Sequence, residues 1–366
     1  MTIHCSVCGW VLPQGSTAYR CPRCGGVLDY DSEPTFDPGL VDPKAQGIWR
    51  YRASFGLPDA LTPVSLGEGS TPLVRDEVNR VAVYYKLEML NPSGSFKDRA
   101  TSPLVSYLKW AGAEQVIEDS SGNAGASLAA YCARAGMKAR VFVPAAASGP
   151  KLRQIVDHGA ELVAVEGPRS QAAKAAQEEA EAGAIYASHA LMPYGLVGLA
   201  TMAYELYEQL GRAPGSVIVP VGQGTLLLGL IRGFRALRAA GLTQENPFYV
   251  GVQAQACAPV SAAFRQGIEA AGQIEEGATV AEGVRVSSPA RLRTVLEEIK
   301  AEGGTVVVVA EEEILPAQQK LARSGFYVEP TSALVLAALE GLRNDLKQPV
   351  VAILTGSGLK YQPVGQ

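Results

Sequence analysis

Asn91-Pro92-Ser93-Gly94-Ser95-Phe96-Lys97-Asp98-Arg99 is the stretch whose reading decides the fold. A lysine stands here in a Ser/Gly-rich turn, after an apolar run (Val81 to Tyr85) and before a helix-like stretch. Pro92 and Gly94 punctuate the turn, and its small neighbours let a flat ligand approach closely. A lysine at a strand-to-helix junction, with an aromatic beside it, can carry an aldehyde as an imine. The competing reading is a solvated surface lysine, the usual fate of this residue type. The loops downstream favour the first.

Outward from Val81, short apolar runs alternate with stretches of helical period. The runs Val81–Lys86, Gln115–Ile117, Ala139–Val143, Glu161–Val165, Ser216–Pro220, Tyr249–Gln253, Thr305–Val309 and Val350–Leu354 read as strands. Asp98–Gly112, Asn123–Ala135, Arg169–Ala182 and Leu226–Ala240 read as helices between them. Strands this apolar, followed by crossover helices, imply parallel sheets covered on both faces. The expected class is α/β, with right-handed crossovers that place the strand-to-helix loops along one edge, where ligands bind. Gly67-Glu68-Gly69-Ser70-Thr71-Pro72-Leu73 reads as a polar turn ahead of the first strand.

A chain of 366 residues exceeds one typical core, so two or three units are expected. Apolar residues make up 47% and charged residues 19%, a globular composition. The net charge of −4 gives no reason to expect a nucleic-acid or anionic-membrane partner. The opening Met1-Thr2-Ile3-His4-Cys5 lacks the basic and apolar regions of a secretory signal. No apolar run approaches the roughly 20 residues of a membrane span. The expectation is a soluble cytoplasmic protein.

Four of the six cysteines form Cys5-x-x-Cys8 and Cys21-x-x-Cys24. Two such knuckles place four thiolates around Zn²⁺, and a segment this small cannot fold on its own core. Two disulfides of a secreted module are the alternative, which the expected compartment disfavours. With four protein ligands the metal would be structural. Residues 1–28 thus read as a zinc ribbon and 29–47, rich in Asp, Pro and Gly, as a linker. Residues 48–366 form the main body. Cys132 and Cys257 read as buried, inert thiols.

Three more loops fall at strand ends. Ser120-Ser121-Gly122-Asn123-Ala124-Gly125 opens a helix, and its hydroxyls, amide and backbone N–H groups suit a carboxylate. An ordinary N-cap by Ser or Asn is the alternative. Val221-Gly222-Gln223-Gly224-Thr225-Leu226 lets backbone donors wrap a phosphate. It lacks the third Gly of a dinucleotide fingerprint, Gln253 stands where an acidic ribose ligand is expected, and no Gly-Lys-Ser/Thr follows. Leu354-Thr355-Gly356-Ser357-Gly358-Leu359-Lys360 adds a small hydroxyl donor after the last strand. An imine-forming lysine, a carboxylate cradle, a phosphate cradle and a hydroxyl are together what pyridoxal phosphate needs.

In this order the four motifs resemble threonine synthase and, more broadly, the fold-type-II pyridoxal-phosphate enzymes, which include serine/threonine dehydratases and cysteine synthases. The ribbon, Trp49-Arg50-Tyr51-Arg52 and Gly67-Glu68-Gly69-Ser70-Thr71-Pro72-Leu73 are also similar, so the likeness covers almost the whole chain. It implies two doubly wound parallel-sheet domains enclosing the cofactor, the smaller (about 90–204) inserted in the larger. It implies Lys97 as the cofactor's covalent attachment, with Phe96 beside the ring and Asn123 at the ring's 3′ oxygen. Gly222, Gln223, Gly224 and Thr225 would hold the phosphate, and Thr355 would meet the pyridine nitrogen. Ser121, Ala124 and Gly125 would hold the substrate carboxylate, and Cys5, Cys8, Cys21 and Cys24 the zinc.

The implied activity is elimination or replacement at the β or γ carbon of a small amino acid, in amino-acid metabolism, by a homo-oligomer such as a dimer. One segment departs from the threonine synthase pattern, which has Asn-Pro-Tyr-Arg where this chain has Met192-Pro193-Tyr194-Gly195. Poor handling of O-phosphohomoserine is therefore expected. The carboxylate loop is closer to that of the dehydratases. A serine/threonine dehydratase or a β-replacement enzyme on an activated serine is the alternative within the class. Outside it stands an inactive zinc-ribbon interaction protein.

Overall fold

A computed structural model describes residues 1–342 and 345–362 of the chain. Its strands are β1 (Ile3–Cys5), β2 (Leu28–Tyr30), β3 (Leu73–Val78), β4 (Val81–Lys86), β5 (Gln115–Glu118), β6 (Lys138–Pro144), β7 (Glu161–Val165), β8 (Ser216–Pro220), β9 (Phe248–Ala254), β10 (Thr305–Val309) and β11 (Val350–Ile353). The helices that bear on function are α1 (Lys97–Trp110), α2 (Asn123–Ala135), α3 (Pro150–Asp157), α4 (Arg169–Glu181), α5 (Tyr194–Leu210) and α6 (Thr225–Ala239). The chain divides into two units, one built on Met1–Gly69 and Asn91–Gly198, to which Lys360 returns, the other on Ser70–Leu90 and Leu199–Leu359.

The first unit holds a three-stranded parallel sheet in the order β5-β6-β7. Tyr186 adds a parallel bridge to Ile117 on the free side of β5, so the chain doubles back after β7. Ile117, Phe142, Ala172, Ala176 and Tyr186 pack together between this sheet and α4. Helix α2 ends at Gly136, whose φ of 66° is open to glycine at little strain. The unit also carries the antiparallel pair β1–β2.

The second unit holds a six-stranded sheet in the order β10-β9-β8-β11-β4-β3. Every residue of β8 and β11 is buried, which is why both read as unbroken apolar runs. The strands run parallel except β3, which pairs antiparallel with β4 at the edge. That strand departs from the all-parallel expectation: Leu73, read as the end of a turn, begins an edge strand that a hairpin joins to β4. Val78 pairs with Val81, and Asn79 (φ 51°) with Arg80 (φ 69°) makes the two-residue left-handed turn that a right-twisted hairpin favours. The chain builds β8, β9 and β10 outward, then returns to place β11 between β8 and β4. The β8 and β11 ends thus lie side by side where the winding reverses, the place where ligands bind in such sheets. Among the described residues no helix is long and apolar enough to cross a membrane.

Candidate active site

Lys97 is the first residue of α1, and the loop before it is closed by its own neighbour. The Asp98 carboxylate, wholly buried, accepts from Ser93 N–H (2.6 Å) and Ser93 Oγ (2.5 Å). It also accepts from Ser127 Oγ on α2 (2.6 Å). Gly94, at φ 87°, donates its N–H to Asn91 O across the turn (2.7 Å), and Asn91 Oδ1 accepts from Gly69 N–H (2.9 Å). Ser93 O accepts from Lys360 Nζ (2.7 Å) and from Gln154 Nε2 on α3 (3.2 Å). A turn held by so many bonds fixes where Lys97 starts. Its Nζ lies 5.0 Å from the centre of the Phe96 ring. Ser95 Oγ is buried with no hydrogen-bond partner among the described residues, a polar atom in reserve beside the lysine.

The loop after β5 leads into α2 with Gly122 at the cap position. The N-cap alternative is not realised: Ser120 Oγ bonds Gly122 N–H (3.3 Å), and the glycine cap has no side chain to offer. An uncapped helix start leaves its first backbone N–H groups, which here include those of Ala124 and Gly125, open to another acceptor. A Cβ on Gly125 would sit 1.9 Å from Ser120 O, so only glycine lets the loop fold back this tightly.

In the second unit, Gly224 (φ 81°) caps α6, and Val221-Gly222-Gln223-Gly224 bridges β8 to it. Cβ atoms on Gly222 and Gly224 would meet Gly283 O at 2.7 Å and Val295 Cγ2 at 2.4 Å. Gln223 Oε1 accepts from Ala290 N–H (3.0 Å), which anchors this side chain beside the loop. An anion at this helix start would meet clustered N–H donors and the positive end of the helix dipole. Thr355 follows β11, on the neighbouring strand, and its Oγ1 lies 3.0 Å from Ser332 Oγ. Gln253 is buried and bonded to Val221 O (3.1 Å) and Ser261 N–H (2.9 Å); it braces the loop between β8 and α6.

Glu118 and His189, the latter from the segment that departs from the threonine synthase pattern, lie within electrostatic reach of Lys97. Glu118, the last residue of β5, is buried, and His189 Nδ1 stands 2.7 Å from its Oε1. Burial pushes the Glu118 carboxyl well above its usual range, with Asp119 adding to the rise and Lys97 opposing it. Burial pushes the His189 ring well below its usual value, and Lys97 and Arg169 act in the same direction. Only a contact 71 residues apart in sequence links this pair, so no local pattern announces it.

Gly195, flagged as a departure, is a packing glycine: a Cβ there would lie 2.9 Å from Ala100 Cβ on α1. Three residues on, Gly198 faces the Arg99 carbonyl, which a Cβ would approach to 1.9 Å. Pro103 has no N–H to bond that carbonyl within α1. Helix α5 thus lies against the lysine helix through two glycines.

Near the start of the chain, the four sulfurs of Cys5, Cys8, Cys21 and Cys24 all lie within 4.8 Å of one another. Cys5 and Cys24 are 3.4 Å apart and Cys8 and Cys21 3.7 Å, against the about 3.8 Å that a tetrahedral centre with Zn–S bonds of about 2.3 Å requires. Both knuckles turn alike, Gly9 N–H to Cys5 O and Gly25 N–H to Cys21 O. Cys132 and Cys257 are buried, and burial pushes the Cys132 thiol up to about 12, as an inert core thiol requires.

Residues 64–356 match the family described as pyridoxal-phosphate dependent enzyme. The chain is 35% identical to the threonine synthase of Methanocaldococcus jannaschii over 98% of its own length and 93% of that protein's. It is 35% identical to a Bacillus threonine synthase over 86% of its length and 90% of that protein's. Among solved structures it is similar to a T.th. threonine deaminase, with a TM-score of 0.66 and 27% identity over 80% of this chain and 94% of the other.

Proposed function

Since this chain belongs to the family of pyridoxal-phosphate dependent enzymes, and its sequence relatives include threonine synthases, we propose that it is an amino-acid lyase acting through Lys97 at the β or γ carbon of its substrate. The observation that carries the reading is Lys97 at the start of α1, in a loop that Asp98, Gly94 and Lys360 close. Bound pyridoxal phosphate supplies an electron sink that acidifies the substrate's α-carbon.

The residues divide the remaining work. Lys97 holds the cofactor aldehyde and Phe96 flanks the ring, while Asn123 donates to the ring oxygen. The N–H groups of Gly222, Gln223, Gly224 and Thr225 hold the phosphate at the start of α6, as helix termini do. Thr355 offers a hydroxyl, not an acid, to the ring nitrogen, with Ser332 orienting it. Ser121, with the N–H groups of Ala124 and Gly125, takes the substrate carboxylate at the uncapped start of α2. Lys97, once released by substrate, takes the α-proton and returns it.

Addition of water after loss of the leaving group gives threonine; loss of the amine gives a 2-oxo acid. Gly195 favours the second outcome as an alternative, because no side chain fits there to grip a phosphorylated substrate. Incubation with O-phosphohomoserine, threonine and O-phosphoserine, scored for threonine, phosphate and 2-oxo acid, separates these readings. Cofactor-loaded protein that turns over none of the three contradicts the proposal.

The same reading includes a structural zinc on Cys5, Cys8, Cys21 and Cys24, which supports residues 1–28 as a ribbon joined by 29–47 to the body 48–366, its smaller domain at about 90–204. A thiolate centre suits the reducing cytoplasm. A homodimer completes the proposal.

A further inference from the structure

The segment that follows α4 runs alongside β5. Ile117 N–H donates to Ile185 O and Ala187 N–H donates to Ile117 O, both at 2.9 Å. This pairing delivers His189 to Glu118 at the strand's end, three residues before Ser121 of the carboxylate loop. Neighbouring contacts brace the chain on either side of the histidine. Tyr186 donates to Asp119 Oδ1 (2.7 Å), and Met192 N–H bonds Ser188 O (3.0 Å) around the histidine.

Glu118 is 1% exposed, and its Oε2 has no hydrogen-bond partner among the described residues. A buried carboxyl half-used by a histidine is an expensive arrangement for structure alone. The His189 ring, in contrast, keeps 13% of its surface exposed. With Nδ1 committed to Glu118, Nε2 is the nitrogen left to meet a ligand. The charged groups that act on the pair are Asp119 from the β5 loop, Lys97 from α1 and Arg169 from α4. Burial and both cations keep the ring neutral, so it brings a hydrogen bond and no positive charge. Phosphate recognition, by contrast, draws on charged donors such as arginine.

We propose that His189, oriented through Nδ1 by Glu118, is a specificity-determining residue of the Lys97 site: Nε2 meets the side-chain oxygen of the substrate and favours an uncharged hydroxyl over a phosphate ester. This rests on Lys97 as the cofactor-bearing residue. The neutral ring offers one directional hydrogen bond, which a hydroxyl returns in full. A phosphate ester entering the same place would meet a neutral ring and no side chain at position 195, so neither position supplies the charged donor that phosphate recognition draws on.

The test uses the holoenzyme and its His189→Leu, His189→Asn and Glu118→Gln variants, with kcat and KM for L-serine, L-threonine and O-phosphohomoserine. Ring resonances are followed alongside in ¹³C-histidine-labelled wild type, where three histidines keep the spectrum simple and His189→Leu assigns the signal. Expected are a wild-type preference for the hydroxyl substrates, a loss of about tenfold or more in their kcat/KM in His189→Leu with bound-cofactor absorbance unchanged, and partial recovery in His189→Asn. The His189 signal should move when L-serine is added, and Glu118→Gln should weaken that response. Unchanged kcat/KM in His189→Leu, or a signal indifferent to serine, overturns the proposal while leaving the Lys97 site intact. A wild type without cofactor on Lys97 overturns the underlying reading, and this proposal with it.

Discussion

Asp98 Oδ2 accepts the N–H of Ser93 at 2.6 Å while Asp98 Oδ1 accepts its hydroxyl at 2.5 Å, so a residue of the helix clamps the turn that leads into that helix. The clamp lies one residue from Lys97, and Ser127 ties it to α2 as well. Removing the acceptor in Asp98→Ala leaves three buried donors without it. Unfolding in urea should show a loss of roughly 2–4 kcal/mol, with weaker retention of pyridoxal phosphate than in wild type. Full stability and cofactor content in that variant would deny the clamp its role.

Burial raises the Asp98 carboxyl from 3.8 to about 6 despite its three donors. The folded protein therefore binds a proton more tightly than the unfolded chain does at this residue. Asp98 then contributes most to stability at low pH, and its contribution falls as pH rises from about 3.8 to about 6, staying level above that. Comparing wild type with Asp98→Asn across this window isolates the effect. The wild type should lose stability relative to the variant as pH rises; a difference that is flat, or opposite in sign, would be inconsistent with this account.

Much of the scaffold was legible because parallel strands carry apolar runs, buried throughout in Ser216–Pro220 and only partly covered in Thr305–Val309 and Glu161–Val165. Val81–Lys86, Glu161–Val165, Ser216–Pro220 and Thr305–Val309 are strands with the bounds read from sequence, and Asn123–Ala135 is a helix with the bounds read. Strand β3 was missed because Leu73–Val78 carries Arg75, Asp76 and Glu77 on an edge, and its turn, Asn79-Arg80, contains no glycine. The lysine loop was visible as a motif, whereas Asp98's clamp and the Glu118–His189 pair arise from contacts that only the folded chain creates. Gly195 illustrates the reverse problem: it reads as a lost ligand, and the fold gives it a packing duty against Ala100.

Zinc should be present at one atom per chain, and chelation should raise hydrogen exchange in residues 1–28. Residues 1–28 touch the chain beyond them at named points, Gly15 N–H on Tyr107 Oη (3.0 Å) and Tyr19 against Tyr186 with ring centres 5.0 Å apart. Exchange should therefore also rise, more weakly, around Tyr186, while the cofactor stays bound. Metal analysis of freshly purified protein that finds no zinc, or Cys5→Ser protein with wild-type exchange, would argue against a metal-held ribbon.

Gly198→Ala places a methyl where Arg99 O already stands, 1.9 Å from the new atom, and must push α5 off α1. A loss of roughly 1–3 kcal/mol is expected, with reduced cofactor content because α1 begins at Lys97. Gly112→Ala is the control, since Gly112 has φ 87° but open space around it. It should cost about 1–2 kcal/mol from backbone strain alone and leave cofactor content unchanged. Equal cofactor retention in the two variants would mean that α5 does not position the lysine helix.

The central claim is that Lys97 carries pyridoxal phosphate, and borohydride reduction followed by peptide mapping tests it most directly. The account predicts one pyridoxyl group per chain on the peptide containing Ser95-Phe96-Lys97-Asp98, and none on Lys97→Ala protein. An adduct on another lysine, or no adduct on cofactor-treated wild type, would contradict it.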